Sequence, residues 1–203
     1  MSRAIPSNTF EAIVRAHFGL TQTELARYLG VSAGLVAHLE ANRRRATPAM
    51  NKRLLRLAQL LPPPEGTGPP APAFAAPPEA PEAPLMAITL PDFGPLAAGP
   101  LRKRLRQVAA QAAGLRWAGH RAGKGAALQA RRQWGLARLQ AAPPTAPPDA
   151  AEEARWARWL ATLAADVAAA APTPAAAAAR ALAAVRLLAL DAEAAALAQL
   201  LGP

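Results

Sequence analysis

Cysteine is absent from all 203 residues, which excludes a disulfide framework and a thiolate metal site and fits a reducing compartment. A cytoplasmic location is therefore expected. Histidine is nearly absent too: His17, His38 and His120 each stand alone, with no second ligand at metal-binding spacing. No metal or other cofactor is expected. The chain shows no G-x-S-x-G elbow and no close Ser/His/Asp group, and its GHRAGKG stretch misses the phosphate-loop spacing by one residue and lacks the Ser/Thr after Lys124. The chain is not expected to be an enzyme. Long apolar runs are also missing, since the longest uncharged stretch near the C-terminus, residues 167–179, is mostly alanine broken by two prolines. No membrane span is expected, and the start MSRAIPSNTF lacks the order of a secretory leader.

What the sequence does have is segregated charge. Residues 1–60 carry nine Lys/Arg against three acids, 61–99 carry four acids and no base, and 100–141 carry ten Lys/Arg and no acid at all. The remainder is slightly acidic, and the whole chain sums to +10. Two separate basic blocks favour a polyanion such as nucleic acid as partner. For the second block the competing expectation is a solvated basic helix face.

Proline and alanine divide the chain into three segments. Residues 1–61 predict four short helices with recognisable caps. Phe10, Ile13, Val14 and His17 share one face of the first, with His17 a core or core-edge residue, and Gly19 closes it. Thr21 and Glu24 form a T-x-x-E capping box that opens the second, where Leu25, Ala26 and Leu29 face inward up to a left-handed Gly30. Ser32 caps the third, with Val36 and Leu39 inside and Asn42 at its end. Thr47-Pro48 starts the fourth, whose Leu54, Leu57, Ala58 and Leu61 form an apolar stripe halted by Pro62-Pro63-Pro64.

Residues 62–99 hold twelve prolines and predict a semi-extended, disordered linker, because so little apolar area cannot offset the ordering entropy. Its one apolar run, LMAITL (85–90), is either a docking segment or a stray patch. Residues 100–203 predict three more helices in a bundle or coiled-coil hairpin. The first carries Leu101, Leu105, Val108, Ala112 and Leu115 on one stripe, and the glycines at 119, 123 and 125 predict a kink or loop within it. The second starts at an Asp149/Glu152 capping box with Trp156, Leu160, Leu163 and Val167 on one side. The third starts at Thr173-Pro174, with Leu182, Val185, Leu190, Leu197 and Leu201 as its larger apolar residues.

The stretch LTQTELARYLGVS, followed by Val36, Leu39, Glu40 and a basic turn before Thr47-Pro48, resembles the Cro/phage-repressor type of helix-turn-helix, the XRE-like transcriptional regulators. The resemblance covers roughly the first 61 residues. It implies an all-α fold, double-stranded DNA as partner, a reading helix from Ser32 to His38 and a first helix, Gln22 to Leu29, across the phosphate backbone. By that likeness Gln22 touches a phosphate and Ala33, Gly34, Ala37 and His38 face the groove. Three of those four offer no side-chain hydrogen bond, so the bidentate base pairs worth about 1–3 kcal/mol each are missing. Arg43, Arg44 and Arg45 after the reading helix, with Arg27, Lys52, Arg53 and Arg56, would supply backbone affinity.

The resulting expectation is an all-α, dimeric DNA-binding regulator, with a helix-turn-helix domain at 1–61, a linker at 62–99 and an oligomerisation or partner-binding helical module at 100–203. It acts by occupying a site, with repression the simplest outcome. Dimerisation would set two domains about 34–36 Å apart. Two other readings stand beside it: an antitoxin-like binder that holds a protein partner through its C-terminal helices, and a low-specificity nucleoid-type DNA binder. In the second basic block, Trp117 and Trp134 are expected at the core or its edge, and the cations are expected to pair partly with Glu152, Glu153 and Asp166, with nucleic-acid stacking as the alternative.

Overall fold

The computed structural model describes residues 9–74, 90–144, 147 and 149–202. Among them are seven α-helices and no strand: α1 Phe10–Phe18, α2 Gln22–Leu29, α3 Ala33–Glu40, α4 Pro48–Ala58, α5 Ala98–Gln140, α6 Ala150–Ala169 and α7 Pro174–Leu201. The fold is all-α, as its spacing predicts. None of the described helices is long and apolar enough to cross a membrane.

Local signals place the first four helices where the sequence has them. Gly19 and Gly30 end α1 and α2 in the left-handed region, and Thr21 and Glu24 make both hydrogen bonds of the capping box. Ser32 accepts from the Leu35 N–H and Thr47 from the Met50 N–H, each satisfying a donor that the helix start leaves unpaired. Asn42 takes the positive φ that turns the chain out of α3.

Two compact units form, and they cut across the three sequence segments. The first comprises 1–74 and 128–171, the second 75–127 and 172–203. In the first unit, α6 and the end of α5 join the four short helices in one core, which includes Val14, Leu25, Val36, Leu54, Leu139 and Leu163. Tyr28 stacks on Trp159 with centroids 4.6 Å apart and meets Trp156 edge-on at 5.2 Å. Such pairs contribute beyond their buried area. The Trp159 indole N–H donates to the Glu24 carbonyl at 2.8 Å, so the ring enters the core with its one polar atom satisfied. The end of α5 comes so close to α1 that a Cβ on Gly135 would stand 2.2 Å from the Phe18 carbonyl oxygen. Only glycine permits that approach.

The beginning of the expected linker is ordered against α4. Thr67 N–H donates to the Gln59 carbonyl and Gly68 N–H to that of Leu61, and Phe74 lies against Trp134. Backbone hydrogen bonds thus hold a segment that has little apolar area of its own. Of LMAITL, all but Leu90 lies outside the described residues.

The second unit is thin. Among its described residues, only Val108, Ala112 and Leu190 are fully buried, with Leu115, Leu187, Ala194 and Leu197 packed around them. No loop forms at Gly119 to Gly125, since α5 continues as helix through all three glycines. A Cβ built on Gly119 or Gly125 meets nothing within 4 Å, so these glycines cost the helix only their propensity of about 1 kcal/mol each.

Two measurements test this core. Trp159→Ala removes a buried ring and its hydrogen bond to the Glu24 carbonyl, and should lower unfolding free energy by about 3–5 kcal/mol in denaturant titration; a loss under about 1 kcal/mol would show that α6 is not integral to the unit. His17 sits edge-on to Phe18 and Trp134, and burial, aided by Arg131, holds its imidazole below the ordinary 6.5. The unfolded chain therefore binds the proton more readily, so this contribution is full above about pH 6.5 and falls as pH drops through that value. Melting temperature should decline from pH 7.5 to 5.5, and His17→Phe should flatten the decline.

Candidate nucleic-acid interface

On α3, Gly34 and His38 are exposed and Ala33 and Ala37 half-buried, Ala33 at the edge of the core, while Val36, Leu39 and Glu40 turn inward. One face of α3 thus closes on the core and the opposite face is small and open. Arg43, Arg44 and Arg45 follow in the turn to α4, exposed and without an ion pair among the described residues. The Ser32 Oγ accepts the capping bond from the Leu35 N–H and keeps its O–H as a donor.

Gln22 is held at the start of α2 by Glu40. Its side-chain amide donates to the Glu40 carboxylate at 2.7 Å, and Arg15 donates to both oxygens of the same carboxylate. The amide has two N–H groups, so one remains for a ligand at the helix start. Glu40, which is 6% exposed, therefore ties α1, the start of α2 and the end of α3 together beneath the open face.

The other basic residues of this domain are engaged by α6. Arg53 makes a two-pronged pair with Glu152 at 2.7 and 3.0 Å, and its third nitrogen donates to the Leu29 carbonyl. Arg56 pairs with Glu153 at 3.0 Å and lies 4.0 Å from the centre of the Trp156 ring. Lys52 reaches Asp149 at 3.3 Å and Arg27 reaches Asp166 at 2.5 Å. The bond from Arg53 holds Glu152 below the usual carboxylate range, and Asp149 is held low first by the Glu152 N–H and then by Lys52. These carboxylates stay charged near neutral pH.

That pairing corrects the sequence reading of the charges. The second basic block is expected to pair partly with Glu152, Glu153 and Asp166, but these acids pair with the helix-turn-helix arginines Arg53, Arg56 and Arg27 instead, because α6 docks on α2 and α4. The Asp149/Glu152 box is likewise half made: Asp149 accepts from the Ala151 and Glu152 N–H groups, but the Glu152 side chain goes to Arg53. Trp134 is a core-edge residue, whereas Trp117, expected at the core or its edge, is 63% exposed on the side of α5 opposite Val108. Trp159 was missed, although its spacing of three from Trp156 and four to Leu163 marks the same buried stripe.

Residues 12–63 match the helix-turn-helix family, leaving the C-terminal helices outside the match. The N-terminal domain is a helix-turn-helix of the Cro/repressor, XRE-like type. No curated protein and no solved structure matches the chain. Among the described residues no cluster of three or more His, Asp or Glu could hold a metal ion.

Glu40→Ala would leave the partly buried Arg15 without its partner and release Gln22. It should cost about 3 kcal/mol in denaturant titration, the low end for a broken buried pair because Arg15 retains some water. An unchanged midpoint would show that Glu40 does not hold the helix starts together.

Proposed function

We propose that the protein is a DNA-binding transcriptional regulator that occupies its site as a dimer and represses by occupancy. The observation that carries this reading is the open α3 face bordered by three unpaired arginines, on a domain of the Cro/repressor type. By the family's geometry, Gln22 contacts a phosphate at the start of α2, Ser32, Ala33, Gly34, Ala37 and His38 lie along the groove, and Arg43, Arg44 and Arg45 hold the backbone. Arg27 contributes only by leaving Asp166. Phosphate contacts supply most of the affinity, and His38, methyl contacts and DNA shape supply the discrimination. No small-molecule cofactor enters the mechanism, and a DNA-bound role without cysteine fits the cytoplasm.

Self-association is supported by α7. Leu182 is 70% exposed and Val185 64%, with Leu188 on the same side, while Leu187, Leu190 and Leu197 pack towards α5. A helix apolar on two opposite sides is suited to being covered on both. The scarcity of hydrogen-bonding groups on α3 favours one second reading, a low-specificity architectural DNA binder.

Selection of bound duplexes from a random library by full-length protein at about 0.15 M salt separates these readings. A two-fold-symmetric motif is the result expected of a dimeric regulator, and binding without enrichment would leave the architectural role. Charge reversal of Arg43, Arg44 and Arg45 should lower the slope of log affinity against log salt by about 3. An unchanged slope would sink the phosphate contacts assigned to this turn.

A further inference from the structure

The exposed Trp117 and the unpaired cations of α5 share one face. Helix geometry of about 100° per residue puts Arg102, Lys103, Arg106, Arg121 and Lys124 within an arc of about 100° centred on Trp117. All six are exposed, and none of the five cations has an ion pair among the described residues. The apolar stripe through Val108 and Ala112 lies on the other side of the helix, packed towards Leu190. Two further cations, Arg104 and Arg116, lie off this arc and pair with Glu193 and Asp191 of α7 at 2.6 Å each. The acids in reach thus neutralise the flanks and leave the central face fully charged.

The dimensions suit an extended polyanion. From Arg102 to Lys124 the helix rises about 33 Å, close to one turn of duplex DNA. Between the two groups of cations the face carries Ala110 and Ala113, exposed residues too small to hold a backbone away. The Arg121 guanidinium lies 4.8 Å from the centre of the Trp117 ring, which leaves an aromatic surface beside a cation, the pairing used to hold bases and sugar-phosphate together. A membrane surface fits less well, because interfacial helices need an apolar face to insert and that of α5 is turned towards α7.

We infer that the Arg102–Lys124 face of α5, with Trp117 at its centre, is a second nucleic-acid binding surface, separate from the helix-turn-helix. It grips phosphates along the helix and stacks or wedges Trp117 against the sugars and bases. This surface is independent of base reading by α3.

The test uses the full-length protein and a random-sequence duplex. Replacing Arg102, Lys103, Arg106, Arg121 and Lys124 with Gln should lower the slope of log affinity against log salt by about 4 to 5, and Lys103→Gln with Arg121→Gln alone by about 2. Helical content by circular dichroism checks folding, and the double variant keeps the test alive if the five-fold one unfolds. Duplex should also quench the tryptophan emission, and Trp117→Phe should abolish the quench. Persistence of that quench when Arg43, Arg44 and Arg45 are reversed would establish this surface whether or not the helix-turn-helix reading survives. Unchanged slopes in both Gln variants, quenching that survives Trp117→Phe, or quenching by anionic lipid vesicles but not by duplex would each overturn the proposal.

Discussion

The docking of α6 on α2 and α4 is the interaction on which the first unit depends. A four-helix domain of some fifty residues buries little apolar surface by itself and is marginal in stability. Here Trp156, Trp159, Leu163 and Val167 extend its core, and Trp159 is fixed in orientation by the Glu24 carbonyl. Glu24 is also the second half of the α2 capping box and the partner of Arg132 from α5. One residue therefore connects the start of the helix that crosses the DNA backbone in this family to both long helices packed behind it.

That docking also redistributes charge. Individually, the half-exposed pairs such as Arg27 with Asp166 or Lys52 with Asp149 contribute little to stability, since solvent screens them. Their collective effect is electrostatic placement. With Arg27, Lys52, Arg53 and Arg56 facing carboxylates, the unpaired positive charge of the domain gathers in the turn after α3. A polyanion approaching the four short helices meets unpaired cations beside the open helix face, while Arg131, Arg138 and Arg158 on the long helices of this unit also have no ion pair among the described residues. In the second unit the same logic operates with fewer acids, and the cations of α5 that α7 does not reach stay available along one face.

The short helices were legible because each carries its own punctuation. Thr21 with Glu24, Gly30, Ser32 and Thr47-Pro48 act within a few residues, and the apolar positions between them repeat at helical spacing. The partners of α6 were not legible in the same way, because the pairing of Glu152 with Arg53 spans 99 residues and no local pattern encodes it. Proximity in sequence made the second basic block the obvious partner for those acids, yet the buried tryptophans decide where α6 goes. Gly119 and Gly125 misled for a related reason: propensity charges a cost for glycine in a helix, but a long helix capable of bearing that cost continues through it. On the open α3 face, composition alone showed how little there is to read bases with, and exposure then showed which of those residues face outward.

Small residues on the reading helix change what binding can depend on. Ala33, Gly34 and Ala37 provide no bidentate hydrogen bonds, yet they also hold nothing away from the groove, so the helix backbone can approach closely. Close approach makes affinity sensitive to groove width and to the cost of deforming the duplex, both properties of sequences that the side chains never touch. On the proposed reading, phosphate contacts from the Arg43–Arg45 turn would convert geometry into energy, because three neighbouring cations bind best where the backbone matches their spacing. On this reading the helix-turn-helix discriminates mainly by shape. A phosphate-holding face on α5 would raise affinity for any duplex without altering that preference, since uniform binding energy leaves the difference between two sequences unchanged.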